Sequence, residues 1–310
     1  MNAAVVHSFS EPPRYESFAD PVAGEGEAIV TVTAAGLHRV VKSIADGSHY
    51  TASASFPFIP GIDGVGLLDD GSRVYFFMAR SPYGTFAERG VTMRASCYPL
   101  PDHLDGAEIA GSINPAMSSW AALKLRAEFA AGESVLILGA SGVSGRLAIQ
   151  IARRMGAKRV VGAARNPQAI EGADAAIALN AVSFREELSN NKIDVVLDYL
   201  WGPPAEAFFE AVSAKGLKNA GSRMRYIQIG SSAAASANLH AAALRSTDVQ
   251  VLGSGFGSAS MPKLFKAMAE FIAEAAREPF EFKIKGVPLR EIEKHWHANE
   301  HGARIVILPK

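Results

Sequence analysis

The spacing of hydrophobic and polar positions along the chain changes twice, near residue 116 and again near residue 280. Before the first change the spacing is that of strands. Residues 27–35 are rich in β-branched side chains and partly alternate, as a strand with one buried face does. Residues 65–68 and 73–77 flank Asp-Asp-Gly at 69–71, which predicts a hairpin whose Asp-Gly pair supplies positive φ angles. The N-terminal third is therefore predicted to be β.

Between the two changes, short apolar runs alternate with stretches of helical spacing. The runs have the length of strands that are buried on both faces; they lie at 134–138, 159–163, 193–197, 225–229 and 249–252. Helical spacing is found at 116–123 leading to Gly132, and at 146–155, 208–212 and 262–276. Strands that alternate with helices predict an α/β fold, a doubly wound parallel sheet covered by helices on both faces.

The last thirty residues return to a strand-like pattern. Residues 280–284 alternate, a charged helix is predicted from 289 to about 298, and residues 304–308 form a final apolar run. We expect this tail to join the N-terminal domain.

Composition limits the classes of function. The 310 residues suggest two domains. The 31 Lys and Arg balance 31 Asp and Glu, which argues against a dedicated binder of nucleic acid or of anionic membranes. One cysteine cannot build a disulfide framework or a cysteine-rich zinc site, and it favours a reducing compartment. No signal peptide or membrane-spanning run is evident, so we expect a cytoplasmic protein that acts on a small molecule.

A glycine-rich loop follows the first buried run and opens a helix. It consists of Gly139, Ala140, Ser141, Gly142, Val143, Ser144 and Gly145. Aligned on its last glycine, it departs from G-x-G-x-x-G because alanine holds the first position and an additional glycine precedes it. Glycines in this position let backbone N–H groups approach a pyrophosphate at the helix N-terminus. The alternative is a tight strand–helix turn that binds no ligand.

The end of the next predicted strand indicates which dinucleotide is bound. NAD-binding proteins carry Asp or Glu there to hold the ribose 2′-hydroxyl, whereas this chain has Arg165 and no acid. A guanidinium fits a 2′-phosphate, so we predict NADPH; the alternative for Arg165 is a solvated loop charge. Four further residues follow later strands, where such sheets bind ligands, and are predicted to contact the cofactor: Gly230, Ser231, Gly255 and Phe256.

The chain resembles the medium-chain dehydrogenase/reductase superfamily, specifically its zinc-free quinone oxidoreductase (zeta-crystallin-like) branch. Besides the glycine loop, the segments that carry the resemblance are Ala-Ala-Gly at 34–36, Pro-Gly-Ile-Asp-Gly at 60–64, Gly-Thr-Phe-Ala-Glu at 84–88, and residues 114–123, 194–198, 229–231 and 302–309. The resemblance implies a GroES-like β-barrel substrate domain, residues 1–116 with 278–310, interrupted by a Rossmann NADPH-binding domain, residues 117–277. It also implies an active site in the cleft between the domains and a homodimer formed through the sheet edge near 249–253.

Departures from the zinc-dependent relatives concern the metal. Those relatives carry a cysteine soon after the Ala-Ala-Gly segment and a His-Glu pair in the Pro-Gly-x-x-Gly segment. This chain has His38, Ile62 and Asp63 at the corresponding positions. Isoleucine cannot bind zinc, which needs three or four ligands, so we predict neither catalytic nor structural zinc. Asp63 is then expected to be a structural carboxylate that accepts backbone N–H groups.

The resemblance also names candidate site residues. Tyr50 matches a tyrosine near the nicotinamide, and its phenol could hold a substrate carbonyl oxygen. Asn114 and Ser118 match the stretch that lines the nicotinamide. His38 could take the polar role of an asparagine in relatives. The alternatives are a packing role for Tyr50 and a structural role for His38.

These residues point to an NADPH-dependent, zinc-independent reductase of quinones or α,β-unsaturated carbonyls. One alternative is an NADPH-binding sensor or structural protein without turnover, favoured by the combination of His38, Asp63 and Trp201. A weaker alternative is an enoyl-thioester reductase. Three histidines lie near the C-terminus: His295, His297 and His301. His297 and His301 are four residues apart, as in some metal sites, but no third ligand for that pair is evident. We interpret the three as a solvated helix end.

Overall fold

The computed structural model describes residues 1–213, 223–298 and 302–310. The chain divides into two compact units: unit 1, Met1–Asn114 with Ile272–Lys310, and unit 2, Pro115–Phe271. The strands are β1 Asn2–Val5, β2 Arg14–Ser17, β3 Glu27–Gly36, β4 Asp63–Leu67, β5 Arg73–Phe77, β6 Arg89–Met93, β7 Cys97–Pro99, β8 Ser134–Leu138, β9 Arg159–Ala164, β10 Ala175–Ala178, β11 Val195–Asp198, β12 Met224–Gln228, β13 Val249–Gly253, β14 Lys283–Pro288 and β15 Ala303–Leu308. The α-helices are α1 Arg39–Ala45, α2 Gly106–Ala121, α3 Val143–Arg154, α4 Ala181–Asn190, α5 Pro203–Val212, α6 Ala241–Ser246, α7 Met261–Arg277 and α8 Ile292–His295.

Unit 1 is built around the long strand β3, which has three partners. The sheet order is β14-β15-β3-β4-β5-β7, and β6 also pairs with β3. Strand β15 lies antiparallel to β3 with Val306 opposite Gly36, so the C-terminal tail joins the N-terminal strands as predicted. Alternate residues of β3 are buried, which is the pattern that the sequence showed.

The predicted hairpin forms, but its turn differs from the expectation. Strands β4 and β5 pair antiparallel, and the Gly71 N–H donates to the Leu68 carbonyl at 2.9 Å. Within this turn only Gly71 has a positive φ, 81°; Asp70 was wrongly expected to share it. Asp70 Oδ1 instead accepts the Ser72 N–H at 2.9 Å, since an aspartate side chain can close a turn of its own.

Unit 2 holds a six-stranded sheet in the order β10-β9-β8-β11-β12-β13. Every neighbouring pair in it is parallel, and every residue of the central strand β8 is buried. The predicted doubly wound parallel sheet is confirmed. Strand β10 and helix α4 are elements that the sequence analysis did not predict.

Several predicted elements have different bounds, and two of the differences have a clear cause. The helix expected from about residue 116 begins at Gly106, because Asp105 Oδ1 accepts the backbone N–H groups of Ala107 and Glu108 at 2.8 and 2.9 Å. It ends in a π-helical turn, Ala122–Arg126. The strand predicted at 280–284 lies at β14, where its parallel pairing with β15 sets the bounds. No helix within the described ranges is long and apolar enough to cross a membrane.

Candidate functional site

The predicted cofactor residues of unit 2 lie at one edge of its sheet. Parallel strands place their carboxyl ends at a common edge, where open α/β sheets bind ligands. Gly139 follows β8, Arg165 follows β9, and Gly230 follows β12. The Gly230 N–H donates to the Asp198 carbonyl at 3.1 Å. This hydrogen bond joins the loop after β12 to the end of the neighbouring strand β11.

The three glycines of the loop are under different structural constraints. Gly139 has a φ of 90°, a conformation that favours glycine. A Cβ on Gly145 would lie 2.3 Å from the Gly139 carbonyl oxygen, so this glycine is needed for close packing of α3 on β8. Around a Cβ on Gly142 the only described neighbour within 4 Å would be the Gly139 oxygen, at 3.5 Å. Neither conformation nor packing therefore demands glycine at 142, and the space above it is open to a ligand.

The start of α3 can receive an anion. Its N-cap residue Gly142 provides no side-chain hydrogen bond, and its first turn holds no acidic residue. The first N–H groups of a helix have no intrahelical acceptor and carry a partial positive charge. The loop is also tied to β9, because the N–H groups of Gly139 and Ala140 both donate to the Ala163 carbonyl, at 2.9 and 3.1 Å. These residues fit the pyrophosphate of a dinucleotide.

Arg165 lies directly after β9 and is exposed. No ion pair or hydrogen bond joins its guanidinium to another residue in the described ranges. The remaining predicted contacts are also accessible: Ser231 is exposed, and Phe256 has 46% of its surface exposed. The Gly255 N–H donates to Ser258 Oγ at 2.8 Å, which fixes the turn that carries Phe256.

Asp198 at the end of β11 organises the loop after it. Its Oδ1 accepts the N–H groups of Leu200 and Trp201 at 2.8 and 3.1 Å, and its Oδ2 accepts the Tyr226 hydroxyl at 2.7 Å. Burial raises the pKa of Asp198, and these hydrogen bonds oppose the rise. They hold Trp201 at a φ of 57°, with its ring 6.4 Å from that of Tyr226. Trp201 therefore packs on the core of unit 2.

Tyr199 is a residue of this edge that the sequence analysis did not single out. Its hydroxyl lies 3.4 Å from Ser118 Oγ, which donates to the Pro115 carbonyl at 2.6 Å. Burial raises the pKa of Tyr199 to about 12, although hydrogen bonds with the Ser118 and Ser119 hydroxyls act to lower it. The Tyr199 hydroxyl therefore keeps its proton at neutral pH. The signal by which the sequence could have identified Tyr199 is its position just after a predicted parallel strand. Ser118 is thus connected to the carboxyl edge of the sheet.

Unit 1 contains a buried polar cluster, which we call the His38 cluster: His38, Asp63, Tyr75 and Arg304. Asp63 Oδ2 accepts the Tyr75 hydroxyl at 2.9 Å, so its partner is a side chain and not the backbone N–H that was predicted. Asp63 Oδ1 lies 3.3 Å from His38 Nε2, but the angles do not make a hydrogen bond, and neither His38 nitrogen has a partner within the described part of the chain.

Burial and charge act together in the His38 cluster. His38 and Asp63 are 2% and 1% exposed. Burial lowers the pKa of Arg304 to about 10, while the Asp63 charge opposes that change. Burial and the Asp63 charge raise the pKa of Tyr75 well above its ordinary value, so Tyr75 remains a donor. A Cβ on Gly36 would lie 2.3 Å from the His38 ring, so glycine at 36 is what admits the imidazole.

Tyr50 and Asn114 occupy different surroundings in unit 1. Tyr50 has 72% of its surface exposed, and its ring centroid lies 4.2 Å from that of His49. Asn114 is a half-buried residue of α2. Across the described residues, neither side chain has a hydrogen-bond partner. Both amide and phenol are therefore available to a ligand.

The structure describes two of the three C-terminal histidines. His295 Nε2 lies 3.6 Å from Glu291, His297 is exposed, and His301 lies outside the described residues. In the part of the chain that the structure describes, no three His, Cys, Asp or Glu side chains are grouped so that they could hold a metal ion.

The chain is similar to one relative over its full length and to others over part of it. It is 31% identical over 360 aligned positions to a probable NADPH-dependent quinone reductase of Emericella nidulans, with all of both chains covered. It is 29% identical over 232 positions to the quinone oxidoreductase of Rattus norvegicus, covering 71% of this chain and 68% of the relative. No protein-family model matches the sequence.

A solved structure shows the same fold. The quinone oxidoreductase of Thermus thermophilus, which was crystallised alone and in complex with NADPH, superimposes with a TM-score of 0.83. The sequences are 26% identical, and the superposition covers 99% of this chain and 100% of the other.

Proposed function

The chain belongs to the quinone oxidoreductase branch of the medium-chain dehydrogenase/reductase family, and from that membership we propose that it reduces quinones or α,β-unsaturated carbonyls with NADPH. The two substrate classes share one chemistry, because a quinone is itself an α,β-unsaturated dicarbonyl. The relatives named as NADPH-dependent quinone reductase and quinone oxidoreductase support this proposal. Trp201, which was cited in favour of a sensor without turnover, packs on Tyr226, so it does not favour that alternative.

The observation that carries the proposal is the open space above Gly142 beside the uncapped start of α3. The helix N-terminus would hold the pyrophosphate, and Arg165 would bind the 2′-phosphate. From the family resemblance we assign residues 117–277 to cofactor binding and residues 1–116 with 278–310 to the substrate. When bound, NADPH supplies the hydride, and the protein supplies orientation and electrostatics.

We assign the substrate side to Tyr50, Asn114 and His38. The exposed phenol of Tyr50 would donate a hydrogen bond to a carbonyl oxygen, where negative charge develops. The Asn114 amide would orient the same region. One N–H of the His38 ring, whose nitrogens lack hydrogen-bond partners among the described residues, would donate in the same way. The His38 cluster supplies only two zinc ligands, His38 and Asp63, and the guanidinium of Arg304 opposes a cation there. Zinc needs three or four ligands, so zinc takes no part in the proposed reaction.

The first test follows NADPH oxidation with a panel of benzoquinones, naphthoquinones, enals and enones. We expect turnover of quinones or enones and a kcat about a hundredfold lower in Tyr50→Phe, as loss of one hydrogen bond to a developing oxyanion predicts. His49→Ala, which removes the neighbouring ring and its hydrogen bonds to Thr51 but keeps the Tyr50 phenol, is the matched control. If NADPH binds tightly but no member of the panel is reduced, the proposed function is wrong.

The second test concerns cofactor choice. We expect Arg165→Ala to raise the KM for NADPH about tenfold and to leave the KM for NADH unchanged, since one charge-assisted hydrogen bond is lost. Steady-state kinetics with both cofactors measures the change. Equal use of NADPH and NADH by the unmodified protein would contradict this assignment.

We extend the proposal to a homodimer and to the cytoplasm. Strand β13 ends the sheet order of unit 2, and a strand edge is readily paired with a second copy. The single cysteine fits a reducing compartment. Light scattering of the purified protein is expected to give twice the chain mass, and a monomer would contradict the homodimer. Cell fractionation is expected to recover the protein in the cytosol, and recovery in the membrane fraction would contradict the cytoplasmic assignment.

A further inference from the structure

A second arginine lies beside the loop that carries Arg165, and sequence reasoning gave it no role. Arg146 belongs to the first turns of α3, and its backbone N–H donates to the Gly142 carbonyl at 2.9 Å. Its guanidinium reaches back to the glycine loop, where Nε lies 3.3 Å from the Ser141 carbonyl oxygen. It also reaches the segment after β9, where Nη2 lies 3.4 Å from the Ala169 carbonyl oxygen. The side chain thus bridges the two loops that would surround the adenosine ribose of a dinucleotide.

The contacts of Arg146 are weak ones. All lie at 3.3–3.4 Å, beyond the usual 2.7–3.2 Å of N–H···O bonds. Its one ionic partner among the described residues is Glu171, at 3.4 Å, and that carboxylate side chain is 78% exposed. An exposed ion pair contributes little and exchanges readily. The guanidinium is therefore held in place by three weak contacts, and two of its five N–H donors remain for a ligand.

Arg153 on the same helix shows what a structural arginine looks like here. Its Nε donates to the Gly172 carbonyl at 2.7 Å, and its Nη2 pairs with Asp174 at 2.8 Å. The Asp174 carboxylate also accepts the Val160 N–H at 2.7 Å, so Arg153 is fixed to the end of the same loop. The two arginines have similar neighbours but different bond lengths, and of the two it is Arg146 that can take a stronger acceptor.

We infer that Arg146 is a second guanidinium ligand of the 2′-phosphate of NADPH, and that it exchanges the Glu171 carboxylate for that phosphate. This inference rests on the proposed function. A phosphomonoester carries close to two negative charges at neutral pH, and Arg165 supplies one positive charge. A second guanidinium on the other side of the loop completes the neutralisation, with the planar fork that suits phosphate oxygens.

The experiment measures binding rather than turnover. Purified full-length protein is titrated with NADPH, NADH, 2′-AMP and 5′-AMP, with inorganic phosphate as a further probe. In Arg146→Leu and Arg146→Gln we expect the dissociation constants of NADPH and 2′-AMP to rise about tenfold or more, the order expected for a lost charge-assisted hydrogen bond. NADH and 5′-AMP should bind as before. The glutamine variant keeps an amide that can donate to the Ser141 carbonyl. A loss of NADPH affinity in this variant therefore reports on the charge of Arg146.

Arg153→Leu is the matched control, because it removes a guanidinium from the same helix and loop. We expect it to lower stability and to leave the ratio of NADPH to NADH affinity unchanged. An Arg146 variant with an unchanged ratio would overturn the inference, and so would equal losses for both cofactors, which would indicate damage to the glycine loop. Competition by inorganic phosphate as strong as that by 2′-AMP would show a general anion site and would also overturn it. If the unmodified protein shows no preference for NADPH, the proposed function fails instead.

Discussion

Gly145→Ala is expected to abolish tight NADPH binding and to destabilise the protein. The added Cβ would lie 2.3 Å from the Gly139 carbonyl oxygen and 2.5 Å from the Ala140 Cα, and both are backbone atoms that cannot move without displacing the loop. We expect a loss of about 2 kcal/mol in the free energy of unfolding, as overpacking predicts. We also expect at least a hundredfold weaker NADPH binding, because about two charge-assisted hydrogen bonds would be lost. Urea unfolding and fluorescence titration measure the two effects.

Gly142→Ala separates the two effects of the first variant. Gly142 has an ordinary φ of −78°, and its Cβ would meet only the Gly139 oxygen at 3.5 Å among the described residues. Stability should therefore change by less than about 0.5 kcal/mol, while NADPH affinity falls because the methyl group occupies the space intended for the ligand. Undiminished NADPH binding by both variants would contradict the assignment of this loop.

Asp63→Asn is expected to have the second largest effect, on stability. The variant leaves the buried guanidinium of Arg304 without the charge that favours it, and it leaves the Tyr75 hydroxyl with a weaker acceptor. Leaving a buried polar group without its partner costs about 1–3 kcal/mol, and more for a charged group. The midpoint of urea unfolding measures the loss, and Asp69→Asn, an exposed change in the neighbouring turn, is the control.

A double variant tests the reason for that loss. If the cost comes from the uncompensated guanidinium, Asp63→Asn with Arg304→Met should be more stable than Asp63→Asn alone. Stability that falls further in the double variant would contradict the electrostatic explanation. It would show that Arg304 contributes mainly through the packing of its aliphatic part.

The sequence predicted the parts of the fold whose pattern is local and strong. Strand β8 was found because five consecutive residues of mostly apolar character are buried on both faces. Strand β10 was missed because Ala-Ala-Ile-Ala has little β-branched character and pairs with β9 alone in the described sheet. Helix α4 was missed although it has a cap signal, since Asn180 Oδ1 accepts the Ser183 N–H at 2.9 Å.

Whether residues are consecutive in the sequence also decided which parts of the site could be predicted. The glycine loop was identifiable because its residues are consecutive and stand between a strand and a helix. The resemblance singled out His38 and Asp63 but not their grouping with Tyr75 and Arg304, because these residues come from the start of α1, β4, β5 and β15 and meet only after the sheet has formed. Arg146 gave no signal, since a helical arginine is ordinarily a solvated residue and only its bond lengths to the loops distinguish it from Arg153.

The pairing of β15 with β3 has a consequence for synthesis on the ribosome. Strand β3 leaves the ribosome early, but its partner β15 follows only after the whole of unit 2 has been translated. During that interval Ala35 and Gly36 at the end of β3 lack their native partner, and unpaired strand backbone is open to pairing with other chains. Unit 2 can complete its sheet first, so nascent chains arrested before β15 should hold a folded unit 2 and an incomplete unit 1 that requires chaperone protection.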